Sequence, residues 1–90
     1  MKKNIKSTYH SVGKKKRAIA RLYMRSGNGH IIINKINYKQ YYLNNIFLIN
    51  KMLYPFVLTN TLNKFDLNIN VYGGGHKGQI DAICLAISNH

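Results

Sequence analysis

The 90-residue chain carries 14 Lys and Arg against two acidic residues, a formal charge of +12, and a surface so unbalanced calls for a polyanionic partner. A domain of this length buries only about 60 to 65% of the surface its unfolded chain exposes, so repulsion among unpaired cations weighs on a small core, and a phosphate backbone would relieve it. No membrane partner is expected, because the most apolar stretch, Ile46 to Leu58, is broken by Asn50, Lys51 and Pro55 and is too short to span a bilayer.

Residues 1–11 hold Lys2, Lys3 and Lys6 with little to bury, so a basic arm that orders on its partner is expected there, ahead of one domain over residues 12–90. From Ala18 to Arg25 the chain alternates. Ala18, Ala20, Leu22 and Met24 point one way and Ile19, Arg21, Tyr23 and Arg25 the other, which predicts a strand with a basic, aromatic outer face. Ser26-Gly27-Asn28-Gly29 tolerates positive φ, so His30 to Asn34 is expected to return as the second strand of a hairpin.

Asn37, with Gln40 three residues on, is expected to cap a short helix through Tyr42. A second helix is expected from near Asn45, with Ile46, Ile49 and Leu53 at helical spacing and Met52 beside them, until Pro55 ends it or begins a new turn. Phe56 to Thr61 carries no deciding pattern. Phe65, Leu67, Ile69 and Val71 then alternate strictly with Asp66, Asn68, Asn70 and Tyr72, predicting a half-buried strand. After a glycine-rich loop, Gln79 to Ser88 places Ile80, Ile83, Cys84 and Ile87 on one helical stripe. No repeat or linker divides the chain, and the predicted class is a single α+β domain.

Two motifs carry chemistry. Gly13 opens the run Lys14, Lys15, Lys16 and Arg17, which continues through Arg21 and Arg25. These cations can neutralise phosphates, and Tyr23 among them can stack on a splayed base. A merely solvated basic face is the rival reading, and the near absence of acidic partners counts against it. The second motif is the loop Gly73, Gly74, Gly75, His76, Lys77 and Gly78, followed by Gln79, which matches the G-x-G-x-x-G spacing of a dinucleotide site between strand and helix. Its bare backbone and the positive end of the next helix suit an anion. The dinucleotide reading fails on context, since a further strand with an acidic residue about 20 positions on is wanted. The Walker pattern fails at Gln79 and Ile80, where Lys and a hydroxyl residue are needed.

Catalysis finds little to work with. Asp66 and Asp81 are the only carboxylates, and Cys84 lies on the apolar stripe as a core residue that can form no internal disulfide. His10, His30, His76 and His90 are scattered, so no metal is assigned, and no cofactor either. One cysteine and no secretory signal point to a reducing compartment. Heavy use of Ile, Asn, Lys and Tyr points to an A+T-rich genome, such as that of an organelle or a reduced endosymbiont.

Gly13-Lys14-Lys15-Lys16-Arg17-Ala18-Ile19-Ala20-Arg21-Leu22, then Ser26-Gly27-Asn28-Gly29 with Ile33-Asn34, then Gln40-Tyr41-Tyr42 resemble the family of the ninth protein of the small ribosomal subunit. Pro55-Phe56, Lys64-Phe65-Asp66, Val71-Tyr72-Gly73-Gly74-Gly75 and Gly78-Gln79 through Ala82-Ile83 follow in the family's order. The resemblance implies an α+β fold with a mixed β-sheet packed with helices and a left-handed β-α-β crossover, like the second domain of the fifth small-subunit protein. It implies a structural, non-enzymatic role: binding to small-subunit rRNA in the 3′ major domain of the head, with the seventh, tenth and fourteenth small-subunit proteins as neighbours. The RNA-binding residues would then be Lys14, Lys15, Lys16, Arg17, Arg21, Tyr23 and Arg25 with the segment Gly73 to Gln79.

The family normally continues into a long basic tail that extends toward tRNA in the peptidyl site. With the sequence ending at Ser88-Asn89-His90, no direct peptidyl-site tRNA contact is expected. An organellar ribosome is the expected location, a mitochondrion ahead of a plastid, with the cytoplasm of a bacterium of reduced A+T-rich genome as the alternative. Two rival functions remain at this point: a nucleotide-binding enzyme using the loop 73–78, and a free-standing nucleic-acid chaperone.

Overall fold

The computed structural model describes residues 8–89. In chain order they form β1 (Tyr9–Lys15), β2 (Ala18–Ser26), β3 (Ile31–Ile33), β4 (Ile36–Asn37), α1 (Tyr38–Tyr41), α2 (Ile46–Leu58), β5 (Phe65–Tyr72) and α3 (His76–Ser88). The five strands make one mixed sheet in the order β1-β2-β5-β3-β4. β1–β2, β2–β5 and β3–β4 are antiparallel, while β3 and β5 run parallel and are joined through α1 and α2. This is a β-α-β crossover within an α+β domain.

The alternation predicted for β2 and β5 is what seats the core. Ala18, Ala20, Leu22 and Met24 face inward beside Leu67, Ile69 and Val71, with Ile31 and Ile33 of β3 extending the same layer. Ile80, Ile83 and Ile87 of α3 and Ile49, Met52 and Phe56 of α2 close over it. Each such side chain contributes about 1.5 to 3 kcal/mol when fully buried. Small residues set how closely α3 rides. A Cβ on Gly13 of β1 would stand 2.1 Å from the carbonyl oxygen of Ala82 and 2.4 Å from the amide nitrogen of Ala86.

Several expectations change. The hairpin between the first strand and His30 to Asn34 does not form, because β5 lies between β2 and β3. β5 offers β2 eight paired residues, Ile19 to Ser26 against Tyr72 to Phe65, whereas β3 is three residues long. The glycine turn instead wraps the start of β5. Gly27 and Gly29 donate their amides to the carbonyls of Lys64 and Phe65, and Leu67 donates to His30.

The hairpins that do form are β1–β2, turned by Lys16 and Arg17 with Lys16 in the left-handed region at φ 53°, and the short β3–β4, turned by Asn34 and Lys35. Of the arm expected over residues 1–11, residues 1–7 lie outside the described residues. Tyr9 to Ser11 are strand, held to Met24, Tyr23 and Leu22.

α2 passes through Pro55 and ends at Leu58, placing Phe56 in the core and resolving part of the stretch that had no pattern. Pro55 has no N–H for the Lys51 carbonyl one turn earlier, and the Cys84 thiol of α3 donates to that oxygen instead, at 3.5 Å. The buried line of α2 is Ile49, Met52 and Phe56, and Ile46 is exposed. α3 begins at His76, three residues before the expected Gln79, so the second half of the glycine motif is helix.

Candidate nucleic-acid interface

The β1–β2 turn and the strand-to-helix turn before α3 meet at one end of the sheet. Gly73, at φ 80°, packs so tightly that a Cβ would lie 2.1 Å from the Arg17 carbonyl oxygen, and Gly74 follows at φ 62°. Gly73 is therefore required by the fold, and at Gly74 the left-handed φ favours glycine although a Cβ would meet only Ala18, its methyl nearest at 3.5 Å. Gly75 and Gly78 are different: a Cβ at Gly75 would meet nothing within 4 Å, and one at Gly78 only the Ala18 methyl at 4.0 Å. Gly78 lies inside α3, where glycine costs up to about 1 kcal/mol relative to alanine.

A shallow basin forms at this junction. Lys15, Lys16, Arg17, Gly74, Gly75, Lys77, Gly78 and Asp81 line it, bringing both sequence motifs to one place. The N-cap of α3 is Gly75, which supplies no side-chain cap, and the backbone amides of the first helical turn point out with the positive end of the helix. The one acid in the basin, Asp81, bonds Lys51 Nζ at 2.7 Å, and that hydrogen bond holds its carboxyl below the usual range, aided by the nearby charges of Lys15 and Lys77. Among the described residues the ion pairs at contact distance are Lys51–Asp81 and His30–Asp66. Lys14 to Arg17, Arg21, Arg25 and Lys77 enter neither and are exposed.

Gln79 sits apart from its neighbours in the motif. It is 8% exposed, and its Oε1 accepts from the Tyr41 and Tyr42 hydroxyls at 3.1 and 3.4 Å while Nε2 donates to the Gly73 carbonyl at 3.4 Å. Tyr41 in turn accepts from Asn34 Nδ2, and the His76 ring stands edge-on to Tyr42 at 5.0 Å. Burial, then Tyr41, push the Tyr42 phenol well above its ordinary pKa. This polar cluster fixes the loop from beneath, and sequence reasoning missed Asn34, Tyr41 and Tyr42 as its members. The alternation of β2 carries Arg21, Tyr23 and Arg25 onto the open face of the sheet, away from the basin floor.

The sequence profile of the ribosomal protein S9/S16 family matches residues 13–90. That span includes every element of the basin and nearly all of the described domain. The chain belongs to the ribosomal protein S9/S16 family. It is 44% identical over 79 residues to small ribosomal subunit protein uS9 of Christiangramia forsetii, covering 88% of this chain and 61% of that protein. Against uS9 of Borreliella burgdorferi it is 49% identical over 77 residues, with 84% and 55% covered. Against uS9 of Rickettsia canadensis it is 40% identical over 82 residues, with 91% and 50% covered. The chain thus spans half to three-fifths of the length of these S9/S16 relatives, all of them bacterial.

Proposed function

We propose that this chain is a structural constituent of the small ribosomal subunit, without catalytic activity, that binds rRNA through the basin and the cations around it. The observation that carries the reading is the pair Gly75 and Gly78. Packing asks for neither glycine, yet both leave bare backbone among Lys15, Lys16, Arg17 and Lys77 at the uncapped start of α3. An RNA phosphate fits such a place, with arginine and lysine closing on its oxygens and main-chain amides beneath. Gly73, Gly74 and Gln79 shape the cradle, and His76, Lys14, Arg21, Tyr23 and Arg25 extend the contact outward.

Membership of the family supports the finer reading implied by the sequence resemblance: a position in the head on the 3′ major domain, beside the seventh, tenth and fourteenth small-subunit proteins. The residues ahead of β1, with Lys2, Lys3 and Lys6, would act as a basic arm on the same RNA. Composition supports an A+T-rich source genome, so the ribosome would be that of an organelle or of a bacterium with a reduced genome.

Phosphate neutralisation makes the test a salt titration. With about six to ten phosphates contacted, affinity for small-subunit rRNA falls on the order of a thousandfold or more between 50 and 200 mM salt. Replacing Lys16 and Lys77 by Gln flattens that dependence. An affinity indifferent to salt, or a slope unchanged in the double variant, contradicts the assignment.

A further inference from the structure

We infer that the open face of the sheet is a second RNA surface, a stacking platform for unpaired nucleotides centred on the Tyr23 and His10 rings. The inference rests on the reading of the chain as an RNA-binding protein, and for the residues that extend the contact beyond the basin, Arg21, Tyr23 and Arg25, it names the class of RNA they hold. α2 and α3 cover one side of the sheet, and no described element packs on the other.

The register sets out what that other side presents. His10, Tyr23, Asn68 and Ile32 form one row across β1, β2, β5 and β3, Val12, Arg21 and Asn70 the next, and Lys14, Ile19 and Tyr72 the one beyond. Tyr72 is 63% exposed and Tyr23 36%. The rings of His10 and Tyr23 lie parallel, 7° apart with centroids at 4.5 Å, a two-ring stack already built onto rigid strands. A base added to either outer face continues it at little entropic cost, because every base has a π-face and the rings are fixed in advance.

Charge and hydrogen bonding select the occupant. Lys14, Arg21 and Arg25 flank the stack, and the one carboxylate on this face, Asp66, is occupied by the amides of Asn28 and His30 at 2.9 and 3.1 Å. The side chains of Asn68 and Asn70 carry both donors and acceptors for base edges. A paired A-form helix hides its base faces, so the surface fits single-stranded RNA or a looped segment rather than a duplex.

The test compares the full chain with three probes: a short single-stranded oligoadenylate, a blunt RNA duplex of similar charge, and small-subunit rRNA. Tyr23→Thr removes the ring but leaves a residue that favours strands, and an unchanged thermal transition confirms that it is folded. The expected result is a loss of about tenfold or more for oligoadenylate, little change for the duplex, an unaltered salt dependence, and recovery in Tyr23→Phe. Equal loss on both oligomers, or none on oligoadenylate, overturns the proposal. Unchanged RNA affinity with failed incorporation into subunits would give the face to a protein neighbour and overturn it too. If the unaltered chain binds oligoadenylate in a Tyr23-dependent way but rRNA without salt dependence, the basin reading fails while this one stands. If it binds none of the three probes, both fail.

Discussion

At Asn34 the chain leaves β3 in the left-handed region, φ 50°, and the side chain takes over where the strand stops. Its Oδ1 accepts from the Val71 amide at 2.8 Å and its Nδ2 donates to the Val71 carbonyl at 2.9 Å, so one side chain replaces a strand residue beside β5. Removing it in Asn34→Ala leaves both backbone groups of Val71 without that partner, a cost of about 1 to 3 kcal/mol. Urea unfolding is expected to show a lowered midpoint with unchanged slope.

Asp66 performs a related task for the loop before β3. Gly27 stands so close that a Cβ would meet the Asp66 carboxyl at 2.2 Å, and the amides of Asn28 and His30 hold that carboxyl below its ordinary pKa of 3.8. A depressed folded-state pKa contributes stability that is present above the ordinary value and lost as pH falls through the folded one. Thermal unfolding followed against pH is therefore expected to be flat above about pH 5 on this account and to decline below the ordinary carboxylate range. Asp66→Asn is expected to be less stable at neutral pH and to decline less on acidification. A parallel acid limb in the variant would remove Asp66 from this role.

Among the elements, β2 and β5 were legible because strict alternation is a local property of the chain, and the structure buries the faces it indicates. The hairpin was not, because which strand β2 accepts depends on residues some 40 positions away, and a glycine turn alone does not choose between them. β1 was hidden by its own charge. Nothing in Gly13-Lys14-Lys15-Lys16 signals a turn, and Lys16 adopts the left-handed conformation without being Gly or Asn. α2 crosses Pro55 because Phe56 reaches the core and Cys84 satisfies the freed carbonyl, a compensation from another helix that Pro55 itself cannot announce. The glycine motif was found as a unit and is divided by the fold into two glycines that shape the turn and two that packing does not need.

That division gives a prediction at the level of α3. Gly78→Ala is expected to raise stability by up to about 1 kcal/mol, since alanine favours the helix and has room, while weakening rRNA binding by covering the backbone beside Lys77. A gain in stability with full RNA affinity would leave Gly78 without a role in contact.

For the whole molecule, the distribution of charge matters more than its sum. Two acids against 14 Lys and Arg would normally be a liability, but both acids are committed to structure, Asp66 to its loop and Asp81 to Lys51. The cations of β1, β2 and the start of α3 are thereby left to an external polyanion at two surfaces, the basin and the open sheet. The domain should gain stability when RNA occupies them, because a ligand that binds only the folded state shifts the unfolding equilibrium. The central claim, that this polyanion is small-subunit rRNA within a ribosome, is tested most directly by sedimenting extract of the source cell or organelle on a density gradient and locating the chain by mass spectrometry. The account predicts the chain in the small-subunit and whole-ribosome fractions, released by high salt. Recovery only at the top of the gradient, free of ribosomal particles, would contradict it.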